Sequence, residues 1–92
     1  MPNLFKIGNY VVFFWSDEYG EPVHVHICEG RPSPNATKIW LTRNGRCVVA
    51  HNKSKLSDVV LNKALEIISA HYFMICRKWK EYFKVDVINF YC

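Results

Sequence analysis

Two histidines on one face of a predicted strand are the residues of this chain best placed to do chemistry. The run from Glu21 to Ile27 reads Glu-Pro-Val-His-Val-His-Ile, so His24 and His26 alternate with apolar residues. Side chains two positions apart on a strand share a face and lie about 6.6 Å apart along it. Two imidazoles at that spacing can bind one metal ion, or act as the base and acid of a catalytic pair. The alternative is a structural pair that is hydrogen-bonded across strands.

A metal ion on this pair would need a third protein ligand from another part of the chain. The candidates for this third ligand are Asp17 and Glu18 of the acidic turn and His51. The spacing does not decide among them. Cys28 is too far along the strand from His24, at about 13 Å. We therefore leave the metal open. We predict no cofactor. The sequence has no glycine-rich phosphate loop, nucleophile elbow or His-Glu-x-x-His helix, so nucleotide hydrolases and common proteases are not indicated.

Basic residues offer a second kind of site. The chain carries 12 basic and 8 acidic residues, for a formal charge of +4. One basic cluster includes Arg43 and Arg46, and a second ends the helical region, where it also complements the helix dipole. If His24 and His26 were catalytic, Lys38, Arg43 or Arg46 would stabilise a phosphoryl-like anion, which is the outline of a metal-independent ribonuclease.

The first half of the chain has the pattern of five strands. β-Branched and aromatic residues flank the turn signals Gly8-Asn9 and Asn44-Gly45, which predicts two tight hairpins. The predicted strands are 4–7, 10–15, 23–28, 37–42 and 46–51. We expect these strands to form an antiparallel meander.

The second half has the period of a helix. Apolar residues recur at spacings of three and four: Leu61, Leu65, Ile68, Tyr72, Ile75, Trp79 and Phe83. Ser57 is a suitable N-cap, and Asp58 complements the positive end of the helix dipole. We predict one long helix, with a break near Ser69 to His71 and a short terminal strand within Val85 to Tyr91 as open alternatives.

These elements predict one α+β domain over residues 1–92, strand-rich over 1–52 and helical over 57–84, with a tail over 85–92. An antiparallel sheet of about five strands would pack on the helix. One face of that sheet would carry aromatic residues such as Trp15 and Trp40, which indicates a dimer or a protein partner unless loops and the tail cover it. Trp15, Trp40, Arg43 and Arg46 are therefore the predicted binding residues.

Several classes of protein are disfavoured by the sequence. The four cysteines form no Cys-x-x-Cys pair, so zinc knuckles and thioredoxin-like motifs are not indicated. The amino terminus lacks the features of a secretory signal, and charged residues interrupt every apolar stretch that could span a bilayer. We expect a cytoplasmic protein with free thiols and no membrane role.

The chain resembles a bacterial family catalogued as domain of unknown function 4160. The residues that carry the resemblance are Met1-Pro2, Phe5, Gly8, Tyr10, Phe14-Trp15-Ser16, the run from Pro22 to Ile27, the segment from Ala36 to Leu41, Trp79, Tyr82 and Phe83. The resemblance implies no established activity, but it implies a neighbouring gene for a second small protein, as in toxin and antitoxin pairs. It points to His24, His26, Asp17 and Glu18 as the positions of interest.

One departure from the family pattern limits what can be transferred. Family members have a histidine and a double proline before the His-Val-His run, where this chain has Tyr19, Gly20 and Val23. A catalytic role of that histidine does not carry over. We therefore expect a binding or interaction module, in a toxin and antitoxin type system, with a homodimer, a small protein or nucleic acid as partner. The alternative is a ribonuclease-like or metal-dependent enzyme that uses His24 and His26.

Overall fold

The computed structural model describes residues 3–92, and the Met1-Pro2 start lies outside the described residues. The elements are β1 (Asn3–Ile7), β2 (Tyr10–Phe13), β3 (His24–Glu29), β4 (Thr37–Leu41), β5 (Cys47–His51), α1 (Asp58–Ala70) and α2 (Tyr72–Phe83). All five strands form one antiparallel sheet in the order β1-β2-β3-β4-β5. The predicted α+β fold class is confirmed.

Two glycines make the predicted hairpins. Gly8 (φ 58°) turns the chain between β1 and β2, and Gly45 (φ 88°) turns it between β4 and β5. Both lie in the left-handed region, where a side chain is disfavoured. These turns set a register in which Val12 is opposite Ile27 and Val25 is opposite Ile39, so one sheet face is continuously apolar.

That apolar face packs against both helices. The main core combines sheet residues, Ala64 of α1 and most of the helical stripe predicted from the sequence, although Leu61 and Leu65 of that stripe are only partly buried. Its buried members include Val12, Val25, Ile27, Ile39, Leu41, Ala64, Ile68, Tyr72, Ile75, Trp79 and Phe83. Each of these side chains is buried. Burial of this apolar area is the main force that holds the helices on the sheet.

The helical segment is divided at His71 into two helices at 70°, so the prediction of one long helix is wrong and the alternative of a break near Ser69 to His71 is confirmed. The His71 imidazole Nδ1 lies 2.8 Å from the Ile67 carbonyl oxygen, and its ring stacks on Phe5. With φ −103° and ψ 16°, His71 leaves the helical conformation. Among the described residues, no single helix is long and apolar enough to cross a membrane, although α1 and α2 together pass that test across their bend.

The segment after α2 forms no strand, which corrects the alternative of a terminal strand. It runs past the end of the sheet, where the Val23 N–H donates to the Asn89 carbonyl and the Arg43 N–H donates to the Cys92 carbonyl, both at 2.9 Å. Tyr91 then stacks on Trp40, with ring centroids 4.7 Å apart. The tail passes the end of the sheet and makes only single backbone hydrogen bonds to it. It lacks the continuous ladder of hydrogen bonds that a strand requires.

The sheet face away from the main core is covered in part. Val11, Phe13, Cys28 and Ala36 form a second buried cluster there, with Trp15 packed against it. The Cys28 thiol lies 3.1 Å from the Arg31 carbonyl, so the loop after β3 is held to this face. The sequence left open whether a partner or the chain's own loops and tail cover this face. At the second cluster, the chain's own residues cover it.

Candidate functional site

Strand β3 and the turn before it bring three side chains to one point. The Glu18 carboxylate oxygen Oε2 lies 2.7 Å from His24 Nε2 and 2.8 Å from His26 Nε2. All three residues are buried. We call Glu18, His24 and His26 the triad. The open question of a third ligand thus has a geometric answer, because it is Glu18 that approaches the histidine pair.

The local backbone orients each member of the triad. The chain turns between Trp15 and Glu21, and the Trp15 N–H donates to Glu18 Oε1 at 2.7 Å. This bond fixes one carboxylate oxygen and leaves Oε2 directed at the histidines. His24 Nδ1 lies 2.8 Å from the Pro22 carbonyl oxygen, so the carbonyl accepts its hydrogen and fixes the ring.

The two imidazoles have different surroundings. Both ring nitrogens of His24 face oxygen acceptors, and its ring lies between Trp40 and Trp79, with centroids 5.5 and 5.3 Å away. His26 stacks on Phe13 at 5.4 Å, and its Nδ1 is buried without a hydrogen-bond partner among the described residues. The triad therefore holds one fully bonded imidazole and one with a free ring nitrogen.

The histidines control the ionisation of Glu18. Burial has the largest single effect and raises the pKa of this carboxyl group. Hydrogen bonds from His24 and His26, the charge of His24 and the Trp15 N–H act in the opposite direction, and the pKa falls from 4.5 to about 2. Glu18 is therefore a carboxylate at neutral pH, as an ion pair or a metal ligand requires.

This shift predicts a pH dependence of stability in metal-free protein. Because the folded-state pKa of Glu18 lies below its unfolded value, its contribution is complete above about pH 4.5 and is lost as the pH falls towards 2. Over that window the wild type should lose about 3 kcal/mol of unfolding free energy more than Glu18→Gln. Urea unfolding of both proteins between pH 2 and 6, with chelator present, measures the difference. Parallel curves would contradict the assignment.

The other predicted ligands lie apart from the triad. Asp17 is exposed. His51 lies opposite Lys38 in the β4–β5 ladder. Burial, followed by the charges of Lys53 and Lys38, lowers the pKa of His51. The thiol of Cys28 points to the Arg31 carbonyl.

The predicted binding residues do not share one binding surface. Trp15 packs edge-on against Phe13 and lines a shallow depression with Ser16, Asp17 and Pro34. Trp40 has Tyr91 on its ring and the Lys38 ammonium 4.2 Å from its centroid. Arg43 and Arg46 are exposed at the β4–β5 turn and line a second depression with Cys92.

A groove between α2 and the tail was not predicted from the sequence. Phe73 and Val87 line it with 83% and 74% of their surfaces exposed. Its charged lining residues are Arg43, Arg77, Lys80 and Asp86, around a volume of about 600 Å³. The available sequence signal was Phe73 itself, an aromatic residue one position outside the core stripe. We call this region the α2 groove.

The comparisons with known proteins identify a family. A family model described as Domain of unknown function (DUF4160) matches residues 9–80. The chain belongs to the DUF4160 family. No curated protein and no solved structure matches it.

The DUF4160 match contains the triad but not the whole groove. Residues 9–80 include Glu18, His24 and His26, whereas Asp86 and Val87 of the α2 groove follow the matched segment. Within the matched segment, the turn that carries Glu18 also contains Tyr19 and Gly20, which are exposed, and Gly20 has φ 88°.

Proposed function

We propose that this DUF4160 protein is an interaction module whose α2 groove binds an acidic, apolar segment of a partner protein. One observation carries the proposal: Phe73 and Val87 are exposed beside Arg43, Arg77 and Lys80 in a single groove. Large apolar side chains that are exposed together mark interaction sites. Aromatic residues and arginine are also the residues that most often dominate binding energy at interfaces.

The charge of the groove favours one kind of occupant. Three cations face a single anion, Asp86, and the whole chain has a formal charge of +4. Carboxylates on a partner would complement this potential and speed association. A second copy of this chain would bring the same positive groove and is therefore disfavoured at this surface. Nucleic acid would complement the positive charge of the groove, but it would give the exposed apolar side chains of Phe73 and Val87 no specific role.

The nature of the partner follows from the family resemblance. The resemblance implies a second small protein encoded beside members of the family, as in toxin and antitoxin pairs. We commit to such a small partner, with an acidic segment that enters the α2 groove.

The metal-independent ribonuclease alternative has less geometric support. The His24 ring has no exposed surface, and a residue that exchanges protons with a polymeric substrate must contact it. In addition, the Nε2 atoms of both histidines already contact the Glu18 carboxylate at hydrogen-bond distance. This arrangement does not favour a ribonuclease that uses the two histidines as acid and base.

Peptide selection tests the proposed occupant without knowledge of the partner. A random peptide library would be selected on wild-type protein, and single peptides would then be measured against variants. We expect enriched sequences that combine Asp or Glu with aromatic or aliphatic residues. Phe73→Ala should weaken their binding by about 30-fold, the effect of a hot-spot residue. Arg77→Glu should mainly slow association and reduce its salt dependence.

Val59→Ala is the matched control, because Val59 is an equally exposed apolar residue on α1 that does not line the groove. Its affinity for the peptides should equal that of the wild type. Enriched peptides without acidic residues would refute the proposed occupant, as would unchanged binding by Phe73→Ala. Tighter binding of a single-stranded RNA oligonucleotide, or self-association abolished by Phe73→Ala, would replace it with nucleic acid or a second copy.

A further inference from the structure

We propose that the triad of Glu18, His24 and His26 is a binding site for a divalent first-row transition-metal ion, with Zn²⁺ as the reference ion. This inference is independent of the α2 groove. Each of the three residues offers one ligand atom within 4.8 Å of the other two. Glu18 Oε2, His24 Nε2 and His26 Nε2 are the candidates, because Oε2 lies 2.7 and 2.8 Å from the two nitrogens. Three protein ligands leave a further coordination position for water or a small anion.

The distances require only a small opening of the triad. Tetrahedral zinc has bonds of about 2.0–2.2 Å to nitrogen and oxygen, which places neighbouring ligand atoms about 3.3 Å apart. Glu18 Oε2 is now 2.7 and 2.8 Å from the two Nε2 atoms. These two oxygen–nitrogen separations would thus increase by about 0.5 Å, which is a side-chain adjustment and not a backbone rearrangement. The ligand atoms of the two histidines already lie within 4.8 Å of each other.

Two of the three candidate ligands, His24 and Glu18, have the outer hydrogen bonds that metal ligands require, whereas His26 Nδ1 has no partner among the described residues. A ligating histidine usually donates its other ring N–H to a carbonyl or carboxylate, and a ligating carboxylate is itself hydrogen-bonded. His24 Nδ1 is held by the Pro22 carbonyl at 2.8 Å, and Glu18 Oε1 is held by the Trp15 N–H at 2.7 Å. These bonds engage the far atom of each group and direct Nε2 and Oε2 to the common point.

The donor set also selects the class of ion. Two imidazole nitrogens and one carboxylate suit zinc, cobalt, nickel or ferrous iron, whereas calcium and magnesium prefer oxygen ligands throughout. The Glu18 carboxylate offsets part of the charge of the ion. Solvent reaches the triad from one side, because the side chains of Glu18 and His26 are 9% and 10% exposed while that of His24 is 0% exposed. Trp15, whose ring centroid lies 6.3 Å from that of His26, lines a shallow depression with Ser16, Asp17 and Pro34.

Metal titration of the whole chain tests the site directly. The protein would be purified without a metal-affinity column and stripped with chelator. Native mass spectrometry with Zn²⁺ and visible absorption with Co²⁺ would then be recorded. We expect one ion per chain and the intense cobalt bands of tetrahedral coordination. Glu18→Gln and His26→Gln should each weaken binding by at least about 100-fold, since loss of an outer-shell partner alone costs 10- to 100-fold.

His51→Gln is the matched control, because it removes a histidine of the same sheet that lies outside the triad. Its ion affinity should stay within twofold of the wild type, and circular dichroism would establish that each variant is folded. Phe73→Ala should also bind metal normally, which separates this proposal from that of the groove. The site is refuted if wild-type protein forms no one-to-one adduct. It is also refuted if folded Glu18→Gln and His26→Gln bind as well as the wild type, or if His51→Gln abolishes binding.

Discussion

Glu18→Ala should lower the free energy of unfolding of metal-free protein at neutral pH by about 3 kcal/mol. The substitution removes the shared acceptor of two buried imidazole N–H groups and leaves the Trp15 N–H without its bond. A buried donor that loses its acceptor costs about 1–3 kcal/mol. Three donors lose their acceptor here, and we expect a total of only about 3 kcal/mol because the side chains of Glu18 and His26 are partly open to water. Urea unfolding monitored by circular dichroism measures it.

Glu21→Gln is the control for this prediction. Glu21 belongs to the same turn, but its carboxylate forms a partly exposed ion pair with Lys38 at 3.5 Å. Exposed ion pairs of this kind contribute less than about 1 kcal/mol. A loss of stability in Glu18→Ala no larger than that in Glu21→Gln would show that the triad is not a stabilising network.

As a single substitution, Trp79→Ala should lower the free energy of unfolding by about 3–5 kcal/mol. Trp79 is buried where α2 meets the sheet, and its ring centroid lies 5.0 Å from that of Phe14, 4.6 Å from Phe83 and 5.3 Å from His24. Its removal would leave a large cavity that the neighbouring rings can fill only in part. Native domains are stable by about 5–15 kcal/mol, so this single change would consume much of the total.

Phe73→Ala is the matched control on the same helix. Phe73 is largely exposed, and substitutions of exposed side chains usually change stability by no more than about 0.5 kcal/mol. Thermal unfolding of both variants would compare them. Equal destabilisation would place Phe73 in the core and contradict the α2 groove as described.

Local sequence patterns were sufficient to predict most of the fold. Gly8-Asn9 and Asn44-Gly45 determine turns through their own backbone preferences, and alternation in β2 and β3 assigns each side chain to a face. The three-and-four spacing of the helical stripe identified Ile68, Tyr72 and Trp79 as core residues, and all three are buried. Each of these signals acts over a few residues.

The break at His71 was one of two alternatives that the same periodicity left open. Both helices direct their apolar stripes at one core, so the spacing continues through the bend. The cause of the bend is partly distant, because Phe5 stacks on His71 from the first strand. The structure of the tail also depends on distant residues. Val85 to Tyr91 has strand composition, but the tail passes the end of the sheet and makes only isolated backbone contacts there.

The site was predictable only in part. Alternation along β3 placed His24 and His26 near each other, but the choice among Asp17, Glu18 and His51 depends on the path of the turn after Trp15. Coverage of Trp40 by Tyr91 depends on a contact between distant parts of the chain. The α2 groove likewise combines a helix face with the tail, which no local pattern relates.

The bend at His71 has a consequence for the dimensions of the molecule. A single straight helix from Asp58 to Phe83 would be about 39 Å long at 1.5 Å per residue. The longest dimension of the described Cα framework is only 35 Å. An unbroken helix would therefore overhang the sheet and carry some of its apolar stripe into solvent. By bending through 70° at His71, the chain keeps both parts of the stripe against one core and within the 35 Å length of the framework.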